Sequence, residues 1–447
     1  MAIEKETSHV KVLNKSNVLP NTPLHNPPIP LTSFDLPYIT FYYNQKLLLY
    51  KCKPEEFDDI VQRLKDGLGT VLEHFYPLAG RLAKDQDGVL VIECEGDSLV
   101  GAEVVQASAD AVLVDDLAQS DSAHDFIPYT GVMNLEGLHL PLLAVQLTKL
   151  RDGIALGVAF NHAVLDGTAT WQFMNAWSEQ CRSSSISVLP FHDRAKARST
   201  RVKTNLPSSA KEHENGDPNG PPKPLRAKVF SFSSTAIETL KSNINAGLPP
   251  SSKPISAFQS LGAHVWRAVS RARGLSPEAY TVFAIFTDCR KRLDPPMPDH
   301  YFGNLIQAIF TVTATGLLLA NPPEFAAELI NKVIVSHDAK AISSRLDEYE
   351  AKPKMFYYSD AGVNTVAVGS SPRFKVYDVD FGFGRPERVR SGSNNKFDGM
   401  MFLYPGKDGG RSIDVELTLD AEAMENLEKD EEFLIVDNTT TTTTNNA

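Results

Sequence analysis

Apolar residues along the first half of the chain fall into runs that have the spacing of helices and strands. Over residues 57–75 they recur at intervals of three and four, which predicts an amphipathic helix packed on a sheet. Two apolar runs rich in β-formers follow at residues 141–150 and 154–161, and Arg151-Asp152-Gly153 between them reads as a tight turn. This pattern predicts a buried hairpin in a half that alternates strands and helices.

A polar, Pro/Gly-rich stretch separates this half from the next one. The apolar pattern restarts with a strand near 227–233, and helices are predicted near residues 236–246, 255–273, 324–337 and 421–429. The 447 residues suit two domains of about 200 residues each. We predict an N-terminal domain at 1–194, a crossover at 195–226, a C-terminal domain at 227–436 and a disordered Thr/Asn-rich tail at 437–447.

The strongest candidate for chemistry is His162, which follows the second strand of the predicted hairpin. Gly167 and Thr168 open a helix directly after it, so the imidazole lies at a strand–helix corner. Such a corner holds a side chain rigidly while turning it toward a cleft. Because imidazole titrates near neutrality, it can take a proton from an alcohol or amine and return it, a role that contributes roughly 10²–10⁴-fold in rate.

The alternatives to a general base at His162 are a chance HxxxD match, a metal site and a covalent nucleophile. The HxxxD spacing occurs a second time at residues 213–217, within a polar stretch that is predicted to be a solvated loop. No HExxH motif or paired Cys/His cluster indicates a metal site. The four cysteines are scattered and no GxSxG motif is present, which favours direct transfer over an acyl-enzyme.

Several motifs in order give the chain a family resemblance. HxxxDG at residues 162–167 and DFGFG at 380–384 are accompanied by PLAGRL, HVWRA and YFGN at family-like spacing. From about Val10 to about Leu434 the chain resembles the plant BAHD acyltransferases, and segments such as FDLPYITFYYNQK and RSGSNNKFDGMM resemble their cuticle-associated branch. The resemblance implies an α/β fold of two similar chloramphenicol-acetyltransferase-like domains, each a mixed β-sheet with flanking helices. It also implies an active-site channel at the domain interface.

The resemblance implies roles for the residues around the channel. His162 would deprotonate the acceptor, which attacks the thioester of an acyl-CoA co-substrate without an acyl-enzyme. Asp166 would be a structural anchor that pairs with Arg290 or Arg292. Asp380, Gly382 and Gly384 would shape the channel. The residues expected to line the substrate channel are Gly369, Ser370, Ser371 and Phe383.

Two of these channel positions depart from other branches of the family. Phe383 stands where many members carry Trp, and Gly369-Ser370-Ser371 stands where the hydroxycinnamoyl branch carries Thr-Ser-Trp. Smaller side chains leave more room and less aromatic stacking surface. This favours an aliphatic or hydroxy fatty acyl substrate, and cutin-type polyester formation by analogy.

The charge pattern bears on the donor and on other partners. A net charge of −11 gives no general attraction for nucleic acid or an anionic membrane. Basic residues that include Lys253 and the 290–292 run are candidates for binding the CoA phosphates. Ser256 is a phosphate contact by resemblance, although a capping box with Gln259 explains it without a ligand.

Composition and the hydrophobic runs suit a cytosolic protein, and the family resemblance implies a monomer. The N-terminal residues lack an apolar core, so no signal peptide is expected, and the apolar stretch 305–320 is too short to span a bilayer. Unpatterned cysteines read as reduced thiols. We expect no bound cofactor and no metal, with an acyl-CoA donor and a hydroxylated small-molecule or lipid acceptor. The alternatives are hydroxycinnamoyl-CoA transfer to an alcohol or amine, and a non-catalytic acyl-CoA-binding protein.

Overall fold

The computed structural model describes residues 10–120, 123–206, 224–357, 360, 362, 364–407 and 409–438. The second HxxxD match, most of the predicted crossover and residues 439–447 of the predicted tail lie outside these ranges. The strands are β1 (Lys11–Val18), β2 (Ile29–Pro30), β3 (Asn44–Lys51), β4 (Arg81–Lys84), β5 (Leu90–Glu93), β6 (Ala102–Ala109), β7 (Leu143–Leu150), β8 (Gly153–Phe160), β9 (Leu225–Phe232), β10 (Tyr280–Asp288), β11 (Ile306–Ala314), β12 (Thr365–Val368), β13 (Arg388–Ser391), β14 (Met400–Pro405) and β15 (Ile413–Asp420). The helices are α1 (Phe57–His74), α2 (Val114–Gln119), α3 (Gly167–Cys181), α4 (Ser234–Gly247), α5 (Ala257–Ala272), α6 (Thr315–Ala320), α7 (Pro323–Ser336), α8 (Ala339–Ala351), α9 (Ala421–Leu427) and α10 (Glu431–Asn438).

The first half of the chain builds a mixed sheet with the order β1-β6-β7-β8-β3-β13. The predicted hairpin is confirmed as β7 and β8, an antiparallel pair in which every residue of β8 is buried. Helices α1 and α3 pack together on one face of this sheet, and the apolar positions of α1 point into their shared core. The strand β8 therefore runs through the core and delivers its C-terminal end, and His162 after it, to a fixed place.

The second half builds a second mixed sheet with the order β11-β10-β12-β14-β15-β9. Its central strand β12 is parallel to both neighbours, β10 and β14, while the outer pairs are antiparallel. Helix α5 is buried along most of its length between this sheet and helices α4, α7 and α9. Two mixed sheets with flanking helices confirm the predicted fold class.

One strand crosses from the second half to the first sheet. Residues 388–391 form β13, which pairs antiparallel with β3 at the edge of the first sheet. This exchange ties the halves together through main-chain hydrogen bonds, and the contiguous boundaries drawn from the sequence did not include it. The division at the crossover stays a prediction.

The elements that the sequence did not reveal are those with little apolar periodicity. Helix α8 buries only Ile342 and Leu346, and its remaining positions are polar or small. Strand β13 reads RVRS and contributes a single apolar side chain, Val389. In both cases tertiary contacts, rather than a local pattern, decide the structure.

Candidate active site

A large cavity of about 1720 Å³ opens between the two halves, and both halves contribute to its wall. His162, Thr168 and Trp171 line it from the first half. Strands β10, β11, β12 and β14 line it from the second half. Ligand sites for drug-sized molecules are typically about 300–1,000 Å³. This cavity therefore has room for two substrates or for one long one.

The backbone of His162 is fixed from both sides. Its N–H donates to Asn134 Oδ1 at 2.7 Å, and its carbonyl accepts from Asn304 Nδ2 at 2.8 Å. The preceding Asn161 closes the corner by accepting from Ala163 N at 3.1 Å and donating to the Asn134 carbonyl at 2.7 Å. Because Asn304 comes from the second half, the position of the histidine depends on both halves.

The imidazole of His162 is held in an apolar setting that favours its neutral form. The ring stacks on Tyr38, with centroids 4.9 Å apart and planes 20° apart. Burial lowers the pKa of His162, and the charge of Lys46 lowers it further, while Asp166 acts in the opposite direction. The Nδ1 atom is buried without a hydrogen-bond partner among the described residues, whereas Nε2 is not among such buried atoms. His162 lines the cavity, and Nδ1 is its buried nitrogen.

Asp166 turns away from the cavity and anchors the corner. Its carboxylate receives both terminal nitrogens of Arg290, at 2.8 Å and 3.1 Å, in a bidentate ion pair. It also caps helix α3 by accepting from Ala169 N at 3.0 Å, and it accepts from Leu305 N at 2.9 Å. Asp166 is 0% exposed and Arg290 is 2% exposed, so the pair is fully shielded from water. Burial opposes the charge of Arg290, yet the carboxylates of Asp166 and Asp288 raise its pKa.

A second buried ion pair supports the same corner. Asp35 lies 2.6 Å from Arg194 Nη1, and the other terminal nitrogen of Arg194 donates to the carbonyl of Val164 at 2.6 Å. Asp35 also accepts from Asn304 Nδ2 at 3.1 Å. Asn304 therefore connects this ion pair to His162, which completes a polar framework behind the imidazole.

Of the two arginines proposed as partners of Asp166, only Arg290 contacts it. Arg292 donates to the carbonyls of Ile334 and His337, each at 2.8 Å, at the end of helix α7. Free carbonyls at a helix C-terminus favour a cation there. Arg292 reaches the cavity wall, but its guanidinium stabilises a helix end rather than the histidine corner.

The Asp380–Gly384 segment forms a turn that lies outside the cavity wall. Asp380 Oδ1 accepts from Gly382 N at 2.8 Å and from Gly384 N at 3.1 Å. Gly382 and Gly384 have φ values of +96° and +109°, a region that residues with a Cβ rarely adopt. These contacts explain the Asp and the two glycines as requirements of the turn.

Phe383 is a correction to the predicted channel lining. Its ring packs edge-on against Tyr50 at 5.1 Å and stacks beside Phe381 at 6.1 Å, and it does not line the cavity. Tyr50 in turn donates to the carbonyl of Val379 at 3.0 Å. The segment therefore acts on the channel only through the packing of the first half.

The predicted channel residues 369–371 do line the cavity. At Gly369 a Cβ would meet the Met400 methyl at 2.1 Å and the Phe402 ring at 2.9 Å, so a larger residue must displace them. Ser370 Oγ donates to the carbonyl of Leu403 at 2.6 Å and accepts from its N–H at 2.8 Å. Ser370 thus completes the sheet with its side chain, and Ser371 lines the cavity while its Oγ accepts from Arg373 N at 3.3 Å.

The two residues proposed for CoA binding lie in different places. Ser256 lines the cavity and makes the full capping box with Gln259 at the start of α5. Lys253 is absent from the cavity wall and borders a separate depression beside α7. The role of Lys253 in CoA binding stays a prediction. The exposed cations that line the main cavity are Arg182, Lys352, Lys354, Arg373 and Lys375.

A cysteine nucleophile has no support in the geometry. Cys289 Sγ lies 3.8 Å from His337 Nε2, which resembles a Cys–His pair. However, burial raises the pKa of Cys289 to about 12 and lowers that of His337 to about 4. Each shift favours the neutral species and opposes the thiolate that nucleophilic catalysis needs. Neither residue lines the cavity.

Sequence reasoning missed the residues that fix the histidine from a distance. Tyr38, Asn134 and Asn304 come from three separate segments and meet only in the fold. Asp35 and Asn304 lie within segments that carried the family resemblance, and their complete burial is the signal that they serve structure.

Within the described ranges, no helix is long and apolar enough to cross a bilayer.

Comparison with known proteins places the chain among acyltransferases. A family model described as the Transferase family matches residues 8–434. BAHD acyltransferase DCR from Arabidopsis thaliana is 56% identical over 447 residues, covering 95% of this chain and 92% of that protein. HHT1 from Avena sativa, a hydroxycinnamoyl-CoA:5-hydroxyanthranilate N-hydroxycinnamoyltransferase, is 33% identical over 394 residues, covering 82% and 86%. The crystal structure of F. sporotrichioides TRI101 complexed with coenzyme A and T-2 matches with a TM-score of 0.74 at 20% identity, covering 92% of this chain and 99% of that one.

Proposed function

The chain belongs to the Transferase family of BAHD acyltransferases, and from this premise we propose that it moves an acyl group from a CoA thioester to an acceptor hydroxyl, with His162 as the general base. The observation that carries the proposal is the setting of the imidazole. His162 lines a cavity to which both halves contribute, and burial lowers the pKa of its imidazole. A base that is neutral at physiological pH is ready to accept a proton.

The proposed reaction is a single direct transfer. Nε2 of His162 takes the proton of the acceptor hydroxyl while its oxygen forms a bond to the thioester carbonyl carbon. The tetrahedral intermediate then collapses, the carbon–sulfur bond breaks, and the imidazolium returns the proton to the departing CoA thiolate. Holding both substrates beside one base supplies much of the rate enhancement by orientation. Asp166 and Arg290 take no part in proton transfer and position the corner.

The CoA donor is supported by two features of the cavity. Exposed cations line it, and they offer charge-assisted hydrogen bonds to phosphates. Ser256 also faces it at the N-terminus of α5, where partial positive charge favours an anion. TRI101, which shares the fold, binds coenzyme A in its crystal structure.

For the acceptor we propose an aliphatic or hydroxy fatty acyl molecule, as in cutin-type polyester formation. Gly369 and Ser371 contribute no aromatic side chain of their own, although the Phe402 ring borders Gly369, and the cavity volume suits a long chain. The alternative is hydroxycinnamoyl transfer to an alcohol or an amine, which the name of the Avena sativa relative favours. Assaying each donor against a matched alcohol and amine separates the two.

The first experiment follows thiol release from a panel of acyl-CoAs with hydroxylated acceptors, for the wild type and His162→Ala. We expect acceptor-dependent release that falls by at least about a hundredfold in the variant, the contribution of one general base. Circular dichroism and CoA binding establish that the variant is folded. Release that survives in a folded variant would contradict the general-base role. CoA binding without release by the wild type would indicate a non-catalytic binding protein.

A further inference from the structure

The cavity wall contains a buried lysine that the proposed reaction does not use. Lys46 lies on β3 and is 3% exposed, yet it lines the same cavity as His162. Asn44, two residues earlier on the strand, lines the cavity from the same face of the sheet. Lysine is rarely buried unless it is paired, so this position calls for a partner.

Few groups of the protein compensate the charge of the Lys46 ammonium. Nζ donates to Asn44 Oδ1 at 3.1 Å and lies 5.5 Å and 6.0 Å from the ring centres of Phe402 and Tyr404. Among the described residues no carboxylate oxygen lies within 4.0 Å of Nζ. An ammonium has three N–H donors, and only one of them has a partner. The aromatic faces attract the charge but accept no conventional hydrogen bond.

The neighbourhood of Lys46 carries excess positive charge. Among the described residues, the carboxylate that acts on the pKa of Lys46 is Glu416, which is 1% exposed and pairs with Lys396 at 2.7 Å and with Arg390 at 3.9 Å. Three buried or nearly buried cations thus share one anion. Burial lowers the pKa of Lys46 to about 8, Glu416 raises it and Lys396 lowers it. A further anion in the cavity beside Nζ would relieve this imbalance.

We propose that Lys46, with Asn44, is the anchor of a carboxylate-binding subsite in the cavity, so that one of the two substrates carries a carboxylate besides its reacting group. The inference rests on the proposed function and narrows its substrate class. If the acceptor carries the carboxylate, the acceptor is a hydroxy acid. If the donor carries it, the donor is the half-thioester of a dicarboxylic acid with CoA. Selection follows because an ester or alkyl end in the same place would leave the ammonium unpaired.

The subsite lies within electrostatic reach of the base. Lys46 and His162 line the same cavity, and the charge of Lys46 lowers the pKa of His162. A carboxylate at Lys46 would neutralise that charge and strengthen His162 as a base when the substrate is in place. The distance between the carboxylate and the reacting hydroxyl would then be set by the protein, which predicts an optimum chain length.

The test measures equilibrium binding of ω-hydroxyhexadecanoate and its methyl ester to the purified protein by isothermal titration. We expect the acid to bind at least about tenfold more tightly than the ester, the range for a hydrogen bond to a charged group. Lys46→Met should abolish the difference, and Lys46→Arg should retain part of it. Lys84→Met removes an exposed lysine outside the cavity and is the control for loss of charge.

A donor arm compares hexadecanedioyl-CoA with palmitoyl-CoA in the same way. A preference for the acid on either arm that Lys46→Met removes supports the subsite and identifies the substrate that carries the carboxylate. Equal binding of acid and neutral partner on both arms, or a preference that persists in Lys46→Met, overturns it. Should that variant not fold, Lys46→Gln takes its place. Binding needs no turnover, so an inactive protein still tests the subsite, and an active protein without the preference overturns the subsite alone.

Discussion

The Asp166–Arg290 ion pair gives the sharpest test of how the fold positions the base. Arg290→Met removes the cation and leaves the Asp166 carboxylate buried, with only the N–H groups of Ala169 and Leu305 as donors. Asp166→Asn removes the charge but keeps an oxygen that can cap α3. It leaves Arg290 with the half-exposed Asp288 at 3.3 Å.

The expected magnitudes follow from these remaining contacts. Breaking a buried ion pair by removing one partner typically costs about 3–5 kcal/mol of the free energy of unfolding. We expect the loss of stability in Asp166→Asn to lie near the lower end of this range, because Asp288 still compensates the charge of Arg290. The loss in Arg290→Met should lie near the upper end. Asp166→Ala should lose about 1 kcal/mol more than Asp166→Asn because the helix cap is also removed.

Urea unfolding followed by tryptophan fluorescence measures these differences. Trp171 and Trp177 lie on α3, the helix that Asp166 caps, whereas Trp266 lies in the second half. Arg292→Met is the matched control, since its two hydrogen bonds are made at a helix end, and it should cost only about 1 kcal/mol. The double variant Asp166→Asn/Arg290→Met should be less destabilised than the sum of the single ones.

Two results would contradict this expectation: a loss of stability in Arg290→Met no larger than in Arg292→Met, or additive losses in the double variant. Either outcome would mean that the pair does not hold the corner. A stable Arg290→Met protein with full activity would refute the positioning role as well.

Three further predictions concern proton equilibria and the channel. His162 must be neutral to act and its pKa is lowered, so the acid limb of the pH profile of kcat/KM should lie below the ordinary histidine pKa of about 6.5. In Lys46→Met the limb should move to higher pH, because a positive charge near the imidazole is removed. An acid limb at or above about 6.5 in the wild type would contradict the effect of burial. The pKa of His192 is lowered to about 4, so the folded state binds its proton only near pH 4 while the unfolded state binds it below about 6.5. Thermal stability should therefore fall as pH drops through this window, and less steeply in His192→Gln; identical melting curves for the two proteins from pH 6.5 to 5 would refute this assignment. Ser371→Trp should narrow the cavity, so the variant should prefer shorter acceptors than the wild type when thiol release is measured. An unchanged dependence of thiol release on acceptor chain length would contradict this prediction.

The sequence predicted the parts of the fold that are written in local patterns. The hairpin that ends at His162 and the amphipathic helix α1 follow from apolar periodicity, and their observed bounds lie within a few residues of those expected. The capping box of α5 followed from the spacing of Ser256 and Gln259. Each of these depends on neighbours along the chain, so no knowledge of the tertiary structure was needed.

The parts that escaped prediction depend on contacts between distant segments. Phe383 was expected in the channel because the family resemblance implied it, but the positive φ of the flanking glycines turns the segment into the core around Tyr50. In the sequence Lys46 is an ordinary strand residue. Only the tertiary structure shows that Phe402 and Tyr404 of the second sheet cover it. Spacing along the chain cannot reveal which face of a strand another domain will bury.

The contacts of His162 also explain why the candidate active site needs both halves of the chain. The first half supplies the imidazole and the carboxylate of Asp166, but Arg290, Asn304 and Leu305 hold them from the second half. Strand β13 reinforces the same interface from the opposite direction by completing the first sheet. Loss of contact between the halves would therefore expose the Asp166 carboxylate and release the histidine backbone at once. It follows that the base is positioned only when the cavity is assembled, so that acid–base chemistry and substrate enclosure depend on the same contacts.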